Sequence, residues 1–335
     1  CPLSGRSTAI DRPAGRPPAA RGGHTGSMRT ELVTGILVTC AIIAVCAFVP
    51  IVGLVGSVLL PIPIMVYHAK LGRQPAAVIA AAALGFVGLL GGGLEVLFFG
   101  EFLLIGFVLG ELRPTGFPIE KTALIVCAAV FGTGVAGLMF YGLLSGSGPL
   151  EVVSEAARHN LELTVALYRQ MGVAEEQIRF LEETMPVIQS VLVGMLPALV
   201  AASTLMVVWL SLLAAGPVFR HYGLAPPDYG PLDHWKAPEP LVWAAIACGV
   251  LLLLPGFGLK MLGLNGLIVL MAVYFFQGIA VVAFYLRKKQ VPRIVRVMIY
   301  FVVAVQQLVM LVVVGVGFFD TWFNFRKFGK PPAPA

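Results

Sequence analysis

Charge is scarce in this sequence. Asp, Glu, Lys and Arg make up 12% of its 335 residues, whereas soluble domains carry about 25%. An ordinary water-facing globular core is excluded. Cysteine is rare too: Cys1, Cys40, Cys46, Cys127 and Cys248, with no CxxC spacing and four of the five inside apolar runs. That excludes a disulfide framework or a zinc site and leaves small buried hydrophobes. No HExxH, GxSxG or paired Cys/His cluster occurs, and Gly116 to Thr122 ends like a phosphate loop but lacks the glycine before its lysine. The expectation is therefore no catalytic set, no cofactor and no metal ligands. The net charge of +6 comes with no basic aromatic face and no nucleic-acid module, so nucleic acid is not an expected partner.

What the chain has is apolar length. Hydrophobic residues reach 58%, and several runs approach the roughly 20 residues needed to cross a bilayer as a helix. Backbone groups in lipid must pair internally, so runs of this length mean helices rather than barrel strands. The expected fold is all-α: a polytopic bundle of about eight or nine transmembrane helices in the cell (cytoplasmic) membrane. The segments are about 31–49, 51–67, 75–90, 94–111, 121–144, 187–215, 240–255, 264–286 and 297–319. Pro61 and Pro63 are expected to break or bend the second. Basic residues in short loops, His68, Lys70 and Arg73 first and Arg287 to Arg296 last, mark the cytoplasmic side. Nine crossings from a cytoplasmic start leave the tail with Arg326, Lys327 and Lys330 outside, against that rule. Either one segment is re-entrant or the tail violates the rule. Residues 1–27 read as a disordered upstream extension ahead of Met28, 28–327 as one membrane domain, and 328–335 as a disordered tail.

The insertion at 145–186 has another character. It carries seven Glu against three Arg, and its apolar residues recur at three-to-four spacing from Leu150 to Met171 and again from Ile178 to Ile188. This pattern predicts an amphipathic helical hairpin outside the cytoplasm, either a solvated helix pair or a lid over a pocket. The loop at 217–239 holds His221, Asp228, Asp233 and His234 without a ligand spacing. It reads as interfacial, with Trp235 and Trp243 as headgroup anchors.

An acid at membrane depth is a functional hypothesis by default, and Glu101 is such an acid. It stands in a stretch that starts with a glycine turn at Gly91-Gly92-Gly93 and closes at Arg113-Pro114. Glu95 lies on the same predicted helix but about 120° away around it, so the two carboxyls are not a pair. A lone carboxyl at that depth favours its neutral form. Gln277, Gln306 and Gln307 are its candidate hydrogen-bond partners near mid-membrane, and with Asn265 they make a candidate ligand-binding set. The competing reading is interhelical hydrogen bonding without a ligand.

Gly263-Leu264-Asn265-Gly266-Leu267, then Tyr274 to Val282 with Gln277-Gly278, then Phe319-Asp320-Thr321-Trp322-Phe323-Asn324-Phe325-Arg326, resemble the YybS-type family of bacterial multi-spanning membrane proteins. The resemblance extends over about Met28 to Lys327 and singles out Asn265, Gln277, Gly278, Asp320, Trp322 and Arg326. It implies a distant relationship to the substrate-binding components of energy-coupling-factor vitamin transporters and to the rod-shape protein MreD. The first relationship implies a small-molecule substrate and a coupling ATPase; the second implies a scaffold for envelope-assembly partners. The transporter components dock their coupling subunit through an Ala-xxx-Ala face on the first helix. Here Ala41, Ala44 and Ala47 are spaced by three, so that face is not reproduced.

Overall fold

A computed structural model describes residues 24–49, 53, 56–90, 93–227, 229–230 and 232–326. The readings for residues 1–23 and 328–335, and for Gly91 and Gly92, fall outside these. Among the described residues the chain is helical, with no strand. The helices are α1 His24–Phe48, α2 Pro61–Leu71, α3 Arg73–Leu90, α4 Gly93–Leu112, α5 Ile119–Ser145, α6 Pro149–Gln170, α7 Glu175–His221, α8 Pro240–Leu253, α9 Phe257–Lys288, α10 Arg293–Val305 and α11 Gln307–Phe323. Five of them, α1 (from Met28), α3, α5, α7 and α9, are long and apolar enough to cross a membrane, or six if the bent pair α10–α11 counts as one span. The expected eight or nine crossings are therefore reached only by adding short or acid-bearing helices: α2, α8, and α4 with Glu95, Glu101 and Glu111.

The segment expected at 51–67 is interrupted, as Pro61 and Pro63 suggested: residues 56–57 are helical, 58–60 form a turn, and Pro61 opens a new helix, α2. Both prolines occupy its first turn, where a missing N–H costs nothing and the fixed φ suits a helix start. Glycine then lets α2 lie against α4. A Cβ at Gly110 would come within 2.6 Å of His68 Cγ, and one at Gly106 would collide with the Pro61 carbonyl oxygen. Ile43, Leu60, Ile64, Ile79, Ala83 and Leu103 fill the core on this side. A second core joins α5, α7 and α9 through Val126, Val130, Val208, Trp209, Phe219 and Phe276.

The amphipathic insertion is a helical pair. Pro149 opens α6, Gly172 turns the chain with φ of 75°, and α7 runs back alongside. Arg169 donates to Glu182 at 2.7 Å, and Gln189 donates to the Ser154 carbonyl at 2.9 Å. The return helix does not stop where the apolar run begins. α7 continues for 47 residues, about 70 Å at the rise of an α-helix, more than twice the ~30 Å of hydrocarbon.

Several helix ends meet at one end of the bundle. Lys70 Nζ lies 3.1 Å from Glu31, joining the end of α2 to the start of α1, and His68 and Arg73 both reach Glu111 at the end of α4 (3.0 and 3.3 Å). Arg113 donates to the Ala225 carbonyl just past α7. The segment expected as a single span at 297–319 is two helices, bent by 100° at Gln306. α10 starts four residues after Lys289, and beyond α11 the Arg326 guanidinium donates to the Trp235 carbonyl at 2.8 Å. Both ends of the bent pair therefore lie at this same basic end.

Candidate functional site

The predicted polar set divides into separate centres. The first joins α4 to α5. Thr133 Oγ1 lies 3.1 and 3.0 Å from the two carboxyl oxygens of Glu101 and 2.8 Å from the Ala129 carbonyl oxygen. Small residues on α5 make the approach: a Cβ on Gly137 would sit 2.6 Å from Leu97 Cδ2, and Gly134 lies beside Glu101 Oε1. Glu101 is about 12 Å along α4, and Thr133 is about 21 Å along the 27-residue α5. Both are near mid-helix. Glu101 is half-buried and Thr133 is exposed on the outside of the bundle.

The second centre is buried at the basic end and draws on α9, the 232–239 loop and the end of α11. Gln277 is 1% exposed; its amide donates to Asp320 Oδ2 at 3.1 Å and accepts from Ala237 N at 3.2 Å. Asp320 Oδ1 accepts from Phe325 N at 2.9 Å, and Arg326 lies 3.3 Å from Asp320 Oδ2. Asn324 takes the left-handed conformation (φ 45°) that ends α11 and turns Phe325 and Arg326 back toward the acid. Burial pushes the Arg326 guanidinium down from its ordinary value, while Asp320 and Asp233 pull it up. Tyr285 Oη closes the turn by donating to the Phe325 carbonyl at 2.7 Å. Gly278 and Gly317 permit this contact, because a Cβ on either would strike the backbone carbonyl of the facing helix, Val313 or Tyr274.

Asn265 has a third place and a backbone task. Its side-chain oxygen accepts from Ala198 N at 3.0 Å, and its amide donates to the Gly194 carbonyl at 2.8 Å. These are the donor and acceptor that one turn of α7 would otherwise pair, next to Pro197 inside that helix. Asn265 thus acts as an inserted peptide group where proline interrupts the ladder. Gln306 and Gln307 are exposed at the break between α10 and α11. The structure brings Gln277, Asp320 and Arg326 together, with Gly278 beside them. It does not bring Glu101 to any of the amides expected as its partners. Trp322 is exposed and packs edge-on against Phe318.

The 217–239 loop is not simply interfacial. Trp235 donates its indole N–H to Glu120 at 2.7 Å and packs against Trp209, which stacks on Phe276. It plugs the bundle, whereas Trp243 does face outward. Asp233, in the same loop, is buried and paired with Arg287 at 3.1 Å and His234 at 3.3 Å. The sequence reading passed over Thr133 and placed Asp233 in an interfacial loop without a partner. A threonine between Gly132 and Gly134 in an otherwise apolar span was the available signal for the first. For the second, an acid facing the strong basic run after α9 was the signal. Among the described residues no three His, Cys, Asp or Glu side chains converge as metal ligands would.

A family model described as "Predicted membrane protein (DUF2232)" matches residues 37–321, a span that holds Glu101, Asn265, Gln277, Gly278 and Asp320. The protein YybS of Bacillus subtilis (strain 168), itself described as uncharacterized, is 26% identical over 294 residues, covering 84% of this chain and 91% of that protein. No solved structure matches.

Proposed function

Because the chain belongs to the DUF2232 family of predicted membrane proteins, we propose that it is a multi-pass protein of the bacterial cytoplasmic membrane that works as a scaffold, presenting the α6–α7 hairpin to an envelope-assembly partner. In this reading α1 to α5, α7, α8 and α9 make eight crossings and α10–α11 is a re-entrant pair. The basic end is cytoplasmic and the hairpin stands outside. The observation that carries the proposal is α7, one continuous helix despite Pro186, Pro197 and Pro217, which joins a charged external helix pair directly to the membrane core. The hairpin exposes Leu163, Leu167, Met171 and Phe180 to solvent, apolar area of the kind that marks protein contact.

Transporter-like binding of a small molecule is the second reading, and Glu101 is what favours it. Asn265 and Gln277 already spend their hydrogen-bonding capacity on the protein's own backbone and on Asp320. A photo-crosslinking residue at Leu167 or Phe180, in growing cells, separates the two. Crosslinks to an envelope-assembly protein, with Glu101→Gln silent in growth, are the expected result. Co-purification of ATPase subunits, stabilisation by a vitamin or metabolite, or loss of function in Glu101→Gln would overturn it.

A further inference from the structure

A count of protons at the Glu101–Thr133 contact goes beyond the scaffold reading and does not depend on it. The Thr133 hydroxyl has one hydrogen and faces the Ala129 carbonyl at 2.8 Å, the Val130 carbonyl at 3.2 Å and the two Glu101 carboxyl oxygens at 3.0 and 3.1 Å. A carbonyl only accepts, and an ionised carboxylate only accepts. With Glu101 ionised, one hydrogen must serve both helices. With Glu101 neutral there are two: the carboxyl O–H donates to Thr133 Oγ1, and Thr133 donates to the carbonyls of its own helix.

The surroundings agree. The contact is near the middle of both helices, and the exposed residues on the same helix faces are apolar: Phe98, three residues before Glu101, and Ala136 and Phe140, three and seven residues after Thr133. The other ionisable groups on the elements packed there sit elsewhere along them. On α4 these are Glu95 and Glu111; on α2 and α3, Tyr67, His68, Lys70 and Arg73; on α5, Glu120, Lys121, Cys127 and Tyr141. The nearby cations are engaged: His68 and Arg73 by Glu111, and Lys70 by Glu31. Lys121 lies near the start of α5, twelve residues before Thr133, and among the described residues no ion pair includes Glu101; an unpaired charge inside a membrane is costly.

We propose that Glu101 is held as a neutral carboxyl on the outward side of the α4–α5 pair, its O–H donating to Thr133 Oγ1 while Thr133 donates to the Ala129 carbonyl. Thr133 is the acceptor that keeps the proton on Glu101. Glu101→Gln keeps a donor for Thr133, so a silent Glu101→Gln is compatible both with the neutral acid and with the scaffold reading.

A hydrophobic carbodiimide reads this site directly. The acid adds across a C=N bond of the reagent, its oxygen to carbon and its proton to nitrogen, and an ionised carboxylate has no proton to give. In membranes holding the full chain at neutral pH, dicyclohexylcarbodiimide is expected to modify Glu101 ahead of the hairpin acids Glu151 and Glu155. A water-soluble carbodiimide with an added amine should reverse that preference. Infrared spectra of the same membranes should show a protonated-carboxyl C=O band that Glu101→Gln removes and Thr133→Val moves to higher frequency. Labelling of Glu101 no greater than that of the hairpin acids, or no such band in the unmodified protein, overturns the proposal. A band that Thr133→Val leaves in place overturns the acceptor role of Thr133.

Discussion

Gln277 shows how a polar side chain earns its place in an apolar helix. Its amide is both donor and acceptor, and it joins a backbone N–H of the 232–239 loop to the Asp320 carboxylate. Gln277→Leu leaves a buried N–H and part of a carboxylate without partners. It should destabilise the protein by about 1–3 kcal/mol, read as a lower unfolding temperature in detergent. Asp320→Ala strands the buried Arg326 guanidinium, and the expected loss is larger, about 3–5 kcal/mol. Adding Arg326→Met to Asp320→Ala should then recover part of the stability, because the uncompensated charge is gone. Purely additive losses in that double variant would show that the two side chains do not act as a pair. Glu101 was legible as an exceptional residue from its type and its place inside an apolar segment. Its partner was not, because the sequence does not say which of the neighbouring helices turns a hydroxyl toward it.

At the scale of elements, glycine determines which helices touch. α9 and α11 approach at Gly278 and Gly317, each set against a backbone carbonyl of the other helix. Gly278→Val or Gly317→Val must push the helices apart. Each should cost about 1–3 kcal/mol through overpacking and loosen the Gln277–Asp320–Arg326 cluster with it. Gly132 on α5 has nothing within 4 Å of its would-be Cβ, so Gly132→Ala should be neutral or stabilise by up to about 1 kcal/mol. Thermal unfolding of the three variants side by side checks the contrast, and equal losses would remove glycine packing as the cause. Most helix bounds could be read from apolar runs and turn residues. The break at Gln306 could not: each half of 293–323 is apolar, and a 100° bend leaves no trace in composition. The interruption at Pro61 was legible, because proline cannot continue a helix through its interior: the chain turns at 58–60, and Pro61 and Pro63 then stand in the first turn of α2.

For the whole molecule, the proposed topology uses the bent pair to remove a conflict that helix counting creates. Nine straight crossings put a basic tail outside; a pair that leaves from and returns to the basic end puts Arg326 beside Trp235. Reporter fusions following residue 70, residue 290 and residue 326 should all report the cytoplasmic side. A reporter placed in the 170–174 turn should report the opposite one. A cytoplasmic signal from that turn, or an external signal after 326, would refute the proposed topology. The external signal from the turn is also needed by the scaffold reading, which depends on α7 carrying its hairpin about 30 Å beyond the hydrocarbon.

The amino-acid sequence by itself determined the class: an all-helical, multi-pass membrane protein, an amphipathic pair after Pro149, and an acid in the middle of an apolar helix. Each follows from properties that are local along the chain, namely apolar length, helical period and the cost of charge in lipid. The tertiary structure decided the partnerships. It placed Thr133 on Glu101, drew Gln277, Asp320 and Arg326 into one cluster, set Asn265 into the ladder of α7, and turned Trp235 into the bundle. These depend on which helix faces lie against one another. Where nearly every face is apolar, hydrophobicity does not choose among them; close glycine contacts and a few directional hydrogen bonds do.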